Sequence, residues 1–255
     1  MRGWRGGGLD LLGGSSKPKP MRISVIIPTH NEAQAIGRVL AELPSDLVSE
    51  VIVVDSNSND GTPLIAAAMG ARVVREPRRG YGRACLTGLA NANNPEVVVF
   101  LDGDYSDRPS ELPILLTPII DGHAEITLGS RLGQNRNSGA LPWHQSFGNR
   151  LAAALINLLY GLKISDLGPF RAVRADVVQS LALEEPTYGW AVEMILKGAL
   201  AGFRIVEVPV SYHARIGKSK ISGTLKGTLG ATWFILSLIV RYYFRRRRPG
   251  TPQPA

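Results

Sequence analysis

EVVVFLDGDYSDRPSE (96–111) decides how the chain must fold. Its first part, EVVVFLD (96–102), is a short apolar run rich in β-branched residues, and such a run reads as a strand buried on both faces. A strand of that kind needs a covering layer on each side of its sheet. The run halts at Asp102-Gly103-Asp104. Arg108-Pro109 then opens a helical pattern over 109–121, with proline where a first helical turn accepts it.

The same alternation recurs on both sides. RISVIIP (22–28) reads as a strand, EAQAIGRVLAEL (32–43) as an amphipathic helix, EVIVVD (50–55) as a strand, and GTPLIAAAMG (61–70) as a helix closed by Gly70. A short strand at ARVV (71–74), a helix from Tyr81 to Ala92 and a strand AEITLGS (124–130) continue the pattern. LAAALINLLYGL (151–162) and AVEMILKGALAG (191–202) read as helices around the loop SDLGPFR (165–171), and FRIVEVPV (203–210) as a last strand. Strands separated by helices predict parallel βαβ units, hence an α/β domain with a mostly parallel sheet. Ligands bind such sheets beyond the carboxyl ends of the strands. THNE (29–32), DSNSND (55–60) and DGDYSD (102–107) all fall at those ends.

Composition narrows the class. A hydrophobic share of 44% and a charged share of 20% exclude wholesale disorder. The formal charge is +8, yet its placement is local: from Val208 onward there are nine Lys and Arg and no Asp or Glu. Of 29 basic residues that leaves 20 against 21 acidic ones, so the body is near neutral and the tail is the basic object. The lone Cys85 excludes an internal disulfide and reads as a small buried hydrophobe. Residues 1–20 are rich in Gly, Ser and Pro, lack the apolar stretch of a secretory signal, and are expected to be a disordered extension.

Asp102 and Asp104 flank a glycine at a strand end, which offers hard oxygen ligands with room for close approach; this suits Mg²⁺ or Mn²⁺ shared with substrate phosphates. Asp107 is expected mainly to cap the helix that follows. Asp55 leaves its strand toward the loop edge and is the functional candidate of its turn, whereas Asp60-Gly61 reads as turn chemistry. Glu32, at the expected start of a helix, complements the helix dipole in its plainest reading. GYGRACLTG (80–88) departs from the dinucleotide fingerprint, and His144 and His213 lack metal-ligand spacing. Trp143 and Trp190 suit either a stacking surface or the core.

Taken in order, IPTHNE (27–32), VDSNSNDGT (54–62), DGDYSDRPSE (102–111), GSR at Gly129–Arg131 and RIGKSK at Arg215–Lys220 resemble the family-2 glycosyltransferases, in particular the dolichol- or polyprenyl-phosphate sugar transferases. The match runs over about residues 22–226. The resemblance implies a GT-A fold and an inverting, metal-dependent transfer of a hexose from a nucleoside diphosphate, of the UDP-glucose or GDP-mannose type, to a polyprenyl phosphate. It implies that Asp104, helped by Asp102, holds the divalent ion. Pro28, His30, Glu32, Asp55 and Ser56, with Asp102, would line the nucleotide-sugar pocket. Arg131, Arg215, Lys218, Ser219 and Lys220 would face phosphates. Two departures stand out. Ser56 replaces the second acid of the turn, which leaves the base open, and Gly168-Pro169-Phe170-Arg171 replaces Ser-Gly-Phe-Arg, which leaves the acceptor contacts open.

The nucleophile sets the remaining need. A hydroxyl acceptor requires a general base, for which Asp166 and Glu193 are the candidates, each with a structural alternative; a phosphate acceptor is already anionic. A soluble hydroxyl acceptor, or a silent nucleotide-sugar-binding module, are the alternatives. In the tail, the uncharged stretch Gly227 to Val240 is 14 residues, about 21 Å as a helix against a hydrocarbon core of about 30 Å, too short to span. With Arg241 and Arg245–Arg248 it predicts a basic amphipathic helix on an anionic membrane surface, against the alternative of a helix docked on the protein's own core. The expected organisation is a GT-A domain over 21–223, the surface helix over 224–248 and a disordered end over 249–255. The place expected is peripheral, at the cytoplasmic face of a membrane. Nucleic acid is not expected as a partner, since the body carries no reader motif.

Overall fold

A computed structural model describes residues 21–132, 143–217 and 225–246. The elements run β1 (Ile23–Thr29), α1 (Ile36–Ala41), β2 (Glu50–Asp55), α2 (Thr62–Ala68), β3 (Arg72–Arg75), α3 (Tyr81–Asn91) and β4 (Val97–Phe100). A 3₁₀ turn (Pro109–Glu111) leads into α4 (Leu112–Ile120), followed by β5 (Ile126–Ser130), α5 (Trp143–Tyr160), β6 (Arg171–Arg174), α6 (Ala175–Ser180), α7 (Trp190–Leu200), β7 (Ile205–Pro209) and α8 (Leu225–Arg246).

Seven strands form one sheet in the order β3-β2-β1-β4-β6-β5-β7. The first four pair in parallel, as the alternation of strands and helices predicts. The second half is mixed, because β6 lies antiparallel between β4 and β5, while β5 and β7 are parallel. This strand was not expected from the sequence. RAVR is only four residues, and Ala172 and Val173 are buried by neighbours on both sides rather than by any periodicity of their own.

Alternate side chains of the central strands feed two cores. Ile26, Ile52, Val54, Val98 and Phe100 point to the face covered by α3, α5, α7 and α8. Val25, Ile27, Val53, Val97 and Val99 point to the face covered by α1, α2 and α4. The period of two therefore becomes two apolar layers, which is why these strands read as continuous apolar runs.

One expectation needs correction. The helix expected over 32–43 is confined to Ile36–Ala41, because Glu32 N–H donates to the Thr62 hydroxyl (2.8 Å) and Ala33 N–H to Asp60 (3.0 Å), so the start of that segment is held by the neighbouring loop. The stretch expected to form the tail helix is α8, one side of which packs on the protein: Leu238 and Ile239 are buried against the core shared with α5 and α7. Tyr242 donates to Glu193 (2.7 Å) and Tyr160 to the Ile239 carbonyl (2.7 Å). Even so, α8 turns Trp233 (76% exposed) and Phe244 (60%) outward beside Arg241 and Arg245, and α5 turns Phe147 and Leu158 outward. Among the described residues no helix is long and apolar enough to cross a membrane.

Candidate active site

The chain steps from β1 to β2 on one side of the sheet and reaches β4 on the other, so the loops after β1 and β4 leave a switch point, where open α/β sheets bind ligands. The loop after β1 is tied to the loop after β2. Asn31 N–H donates to Ser58 Oγ (2.8 Å), Asn59 N–H to Asn31 Oδ1 (2.9 Å), and Ser56 N–H to the Thr29 carbonyl (2.9 Å). Asn31 and Asn57 hold positive φ, which asparagine tolerates better than most residues. This lacing buries Glu32, Asp55 and Ser56 and leaves Pro28 and His30 half-buried at the same edge. Asp55 accepts Ser58 N–H through Oδ2 (3.1 Å), while its Oδ1 and His30 Nδ1 are buried without a hydrogen-bond partner among the described residues. Such groups are poised for a polar ligand, since an unmade buried hydrogen bond is costly.

The acidic loop closes against β1. A side chain at Gly103 would meet Thr29 Cγ2 at 2.9 Å, so only glycine lets the loop approach this far. Asp104 is buried; its Oδ1 accepts Ser106 N–H (2.9 Å) and Ser106 Oγ–H (2.6 Å), and its Oδ2 faces Arg215 Nη2 at 3.1 Å. The same Arg215 nitrogen lies 3.4 Å from Glu32 Oε1. Arg215 is brought there by the chain beyond β7, which runs along the acidic loop: His213 N–H donates to the Ser106 carbonyl and Ile216 N–H to the Asp104 carbonyl (both 2.9 Å), and Tyr212 bridges Asp107. Burial, with the Asp104 charge beside it, pushes the Asp102 carboxyl up to about 7. Two carboxylates on either side of Gly103, one of them facing Arg215, suit a divalent cation whose other ligands are phosphates.

Asp107 does something other than the capping expected of it. Arg108 occupies the cap position, with no side-chain cap bond, and the fully buried Asp107 carboxylate has no hydrogen-bond partner on either oxygen among the described residues. Burial and the nearby Asp102 hold its carboxyl well above the ordinary range.

Arg131 and Asp166 form a closed pair. Arg131 donates through Nε (2.7 Å), Nη2 (2.8 Å) and its backbone N–H (3.0 Å) to the two Asp166 oxygens, and Asn149 Nδ2 and Leu167 N–H add 3.0 and 2.8 Å bonds. Burial alone would raise the Asp166 carboxyl, but the Arg131 guanidinium holds it below its usual range. Glu207 fixes the turn beneath by accepting Ser165 and Asp166 N–H, and the Tyr212 ring lies 5.1 Å under the guanidinium. Asn149 and Glu207, absent from the sequence-based candidates, lie 17 and 41 residues from Asp166, and no local pattern links them to it. Gly168 is needed because a side chain there would sit 2.5 Å from the Gly129 carbonyl. Arg171 is fully buried and donates to the carbonyls of Gly168 and Ala191.

Of the remaining candidates, Glu193 accepts from Glu184 N–H, Glu185 N–H and Tyr242 and pairs with Lys197, so it fastens α7 to α8. Trp190 is a core residue packed edge-on to Phe100, and Cys85 is buried as expected. Lys218, Ser219 and Lys220 lie outside the described residues, as do the side chains of Trp143 and His144.

A mixed sheet covered on both faces, with paired carboxylates at its switch point and cationic side chains opposite, defines a GT-A-type fold. The comparisons agree. Residues 24–181 match the Glycosyl transferase family 2 domain. A dolichyl-phosphate hexose transferase of Haloferax volcanii is 35% identical over 202 residues, 78% of this chain and 86% of that protein. An undecaprenyl-phosphate mannosyltransferase of Micrococcus luteus is 32% identical over 221 residues, 81% and 90% of the two chains. Among solved structures, glucosyl-3-phosphoglycerate synthase of Mycobacterium tuberculosis, in complex with Mn²⁺, uridine diphosphate and phosphoglyceric acid, aligns with a TM-score of 0.71 at 25% identity, over 91% of this chain and 80% of that one. The chain belongs to glycosyl transferase family 2 and is a glycosyltransferase.

Proposed function

We propose that the chain moves a hexose, with inversion, from a nucleoside diphosphate of the UDP-glucose or GDP-mannose type to a polyprenyl or dolichyl phosphate. The observation that carries the choice of acceptor is the Arg131–Asp166 pair. A carboxylate held by five donated hydrogen bonds is a poor base, so Asp166 serves to position Arg131. A phosphate acceptor needs no base, only cations to place it, and Arg131 and the basic stretch that includes Lys218 and Lys220 supply them, while Arg215 faces the donor phosphates. The names of the Haloferax and Micrococcus relatives point the same way.

In this reading His30, Glu32, Asp55 and Ser56 receive the nucleoside, with Pro28 closing the strand beneath. Asp102 and Asp104 would hold Mg²⁺ or Mn²⁺, which would supply Lewis-acid charge to the departing diphosphate. The acceptor phosphate oxygen bonds to the anomeric carbon as the bond to the diphosphate oxygen breaks. The outward apolar residues of α5 and α8, with Arg241 and Arg245 beside those of α8, would rest on an anionic membrane surface, peripherally and at the cytoplasmic face, and present the site to lipid.

A second reading, a soluble hydroxyl acceptor, is favoured by one observation. Asp107 is a buried carboxylate with both oxygens unpartnered among the described residues and a raised pKa, as a general base requires; the phosphoglyceric acid bound to the Mycobacterium tuberculosis structure is an acceptor of this kind. Incubation with labelled nucleotide sugars, Mn²⁺, polyprenyl phosphate and phosphoglycerate separates the two. Label that enters the organic phase supports the lipid acceptor. Label found only in water-soluble glycoside overturns it.

A further inference from the structure

Both oxygens of Asp104 have partners within the protein. Oδ1 is held by the two Ser106 donors, and Oδ2 is held by Arg215, whose same Nη2 also reaches Glu32. A divalent cation approaching Asp104 Oδ2 therefore meets a guanidinium already in position. The backbone that carries Arg215 is fastened to the acidic loop on either side of it, at His213 and Ile216. The side chain itself is held at one point: it is 30% exposed, and one nitrogen makes both carboxylate contacts. The guanidinium can leave by side-chain rotation while the loop stays in place.

We propose that Arg215 is a placeholder for the divalent cation, so that the metal and the donor diphosphate enter the site together. Without donor, Arg215 neutralises Asp104 and Glu32, and a divalent cation binds weakly because it must first displace a charge of the same sign. A diphosphate offers the guanidinium a bidentate anionic partner and supplies further oxygens to the metal, so its arrival frees Asp104 and raises metal affinity. By linkage the metal then raises diphosphate affinity by the same factor. Arg215 thereby couples the two binding events in addition to contacting phosphate. The inference rests on the metal-dependent donor reading above and gives Arg215 a role in the resting protein that a simple phosphate ligand lacks.

The test is Mn²⁺ binding to the full chain, read from the loss of the free-ion paramagnetic resonance signal, without nucleotide and with UDP or GDP. Removing a partly exposed ion pair is worth roughly 1 kcal/mol, about a fivefold change in affinity. Arg215→Gln is therefore expected to bind Mn²⁺ alone about fivefold more tightly than the native protein, and the factor by which nucleotide improves Mn²⁺ binding should shrink. Arg215→Lys, which keeps a cation at the position, should fall between the two. If Arg215→Gln binds Mn²⁺ alone no more tightly than the native chain, while the native chain does take up Mn²⁺ with nucleotide, the placeholder is wrong and the metal reading stands. If the native chain takes up no Mn²⁺ with either nucleotide, the metal-dependent reading fails and the placeholder with it.

Discussion

Arg131–Asp166 and Arg215–Asp104 use the same two side-chain types in opposite ways. In the first, five donors converge on one carboxylate at 2.7 to 3.0 Å, and arginine and aspartate are both buried. In the second, a single nitrogen at 3.1 Å meets a carboxylate whose other oxygen is already engaged, and the arginine is partly exposed. The difference teaches where this protein fixes charge and where it leaves charge exchangeable. A buried bidentate pair cannot be opened without stranding an ion in low dielectric, so it sets the frame. A single-nitrogen pair near solvent costs little to open, so it can be traded for a ligand.

The largest effect should come from breaking the closed pair. Asp166→Asn leaves the buried Arg131 without its counter-charge and is expected to cost about 3–5 kcal/mol of stability at pH 7, measured by urea unfolding. The sign with pH follows from a folded-state carboxyl held below its ordinary 3.8. The contribution of the pair is fully present above that value and is lost as pH falls through the lower folded value. The stability gap between native and Asp166→Asn should therefore be flat from neutral pH to about 4 and narrow below it. A gap that is absent at pH 7 would mean that the pair is not the frame.

Next in size, Asp104→Asn should lower transfer by about 10²–10³-fold or more while the melting temperature stays close to native, since Asp104 is hypothesised to act on the metal and the diphosphate. Near-native turnover in that variant, or in the native chain with excess chelator, would remove the metal from the reaction. The smallest effect sharpens the contrast: Arg215→Gln should change stability by no more than about 1 kcal/mol, because a partly exposed pair contributes little. A loss as large as that of Asp166→Asn would show the two pairs to be alike.

Much of the acidic edge was legible in the sequence. The apolar runs at 22–28, 50–55 and 96–102 are strands because no other element buries a short β-branched run on both faces, and their polar ends had to meet at one edge. Asp102, Asp104, Asp55 and Glu32 could be placed there because Asp55 ends β2 and the others lie in the short loops just beyond β1 and β4, and ordered motifs supported them. Asp107 was misread as a helix cap because its local context, an acid before Arg-Pro, is also that of a cap. The start of α1 was misread for a related reason: Asp60 and Thr62, about 30 residues away, hold the amides of Glu32 and Ala33 and so set the path by which the chain enters the helix.

The sequence by itself determined the alternation of strands and helices, the parallel half of the sheet, the acidic edge and the family, because these depend on local periodicity and on short ordered motifs. Tertiary structure alone decided the rest. It inserted β6 antiparallel between β4 and β5, paired Asp166 with Arg131 across 35 residues, set Arg215 against Asp104 across more than a hundred, and docked α8 on α5 and α7 while leaving Trp233 and Phe244 outward. The physical reason is common to all four. Each depends on which groups are removed from water together, and that is fixed by the packing of distant segments, which neighbouring residues do not encode.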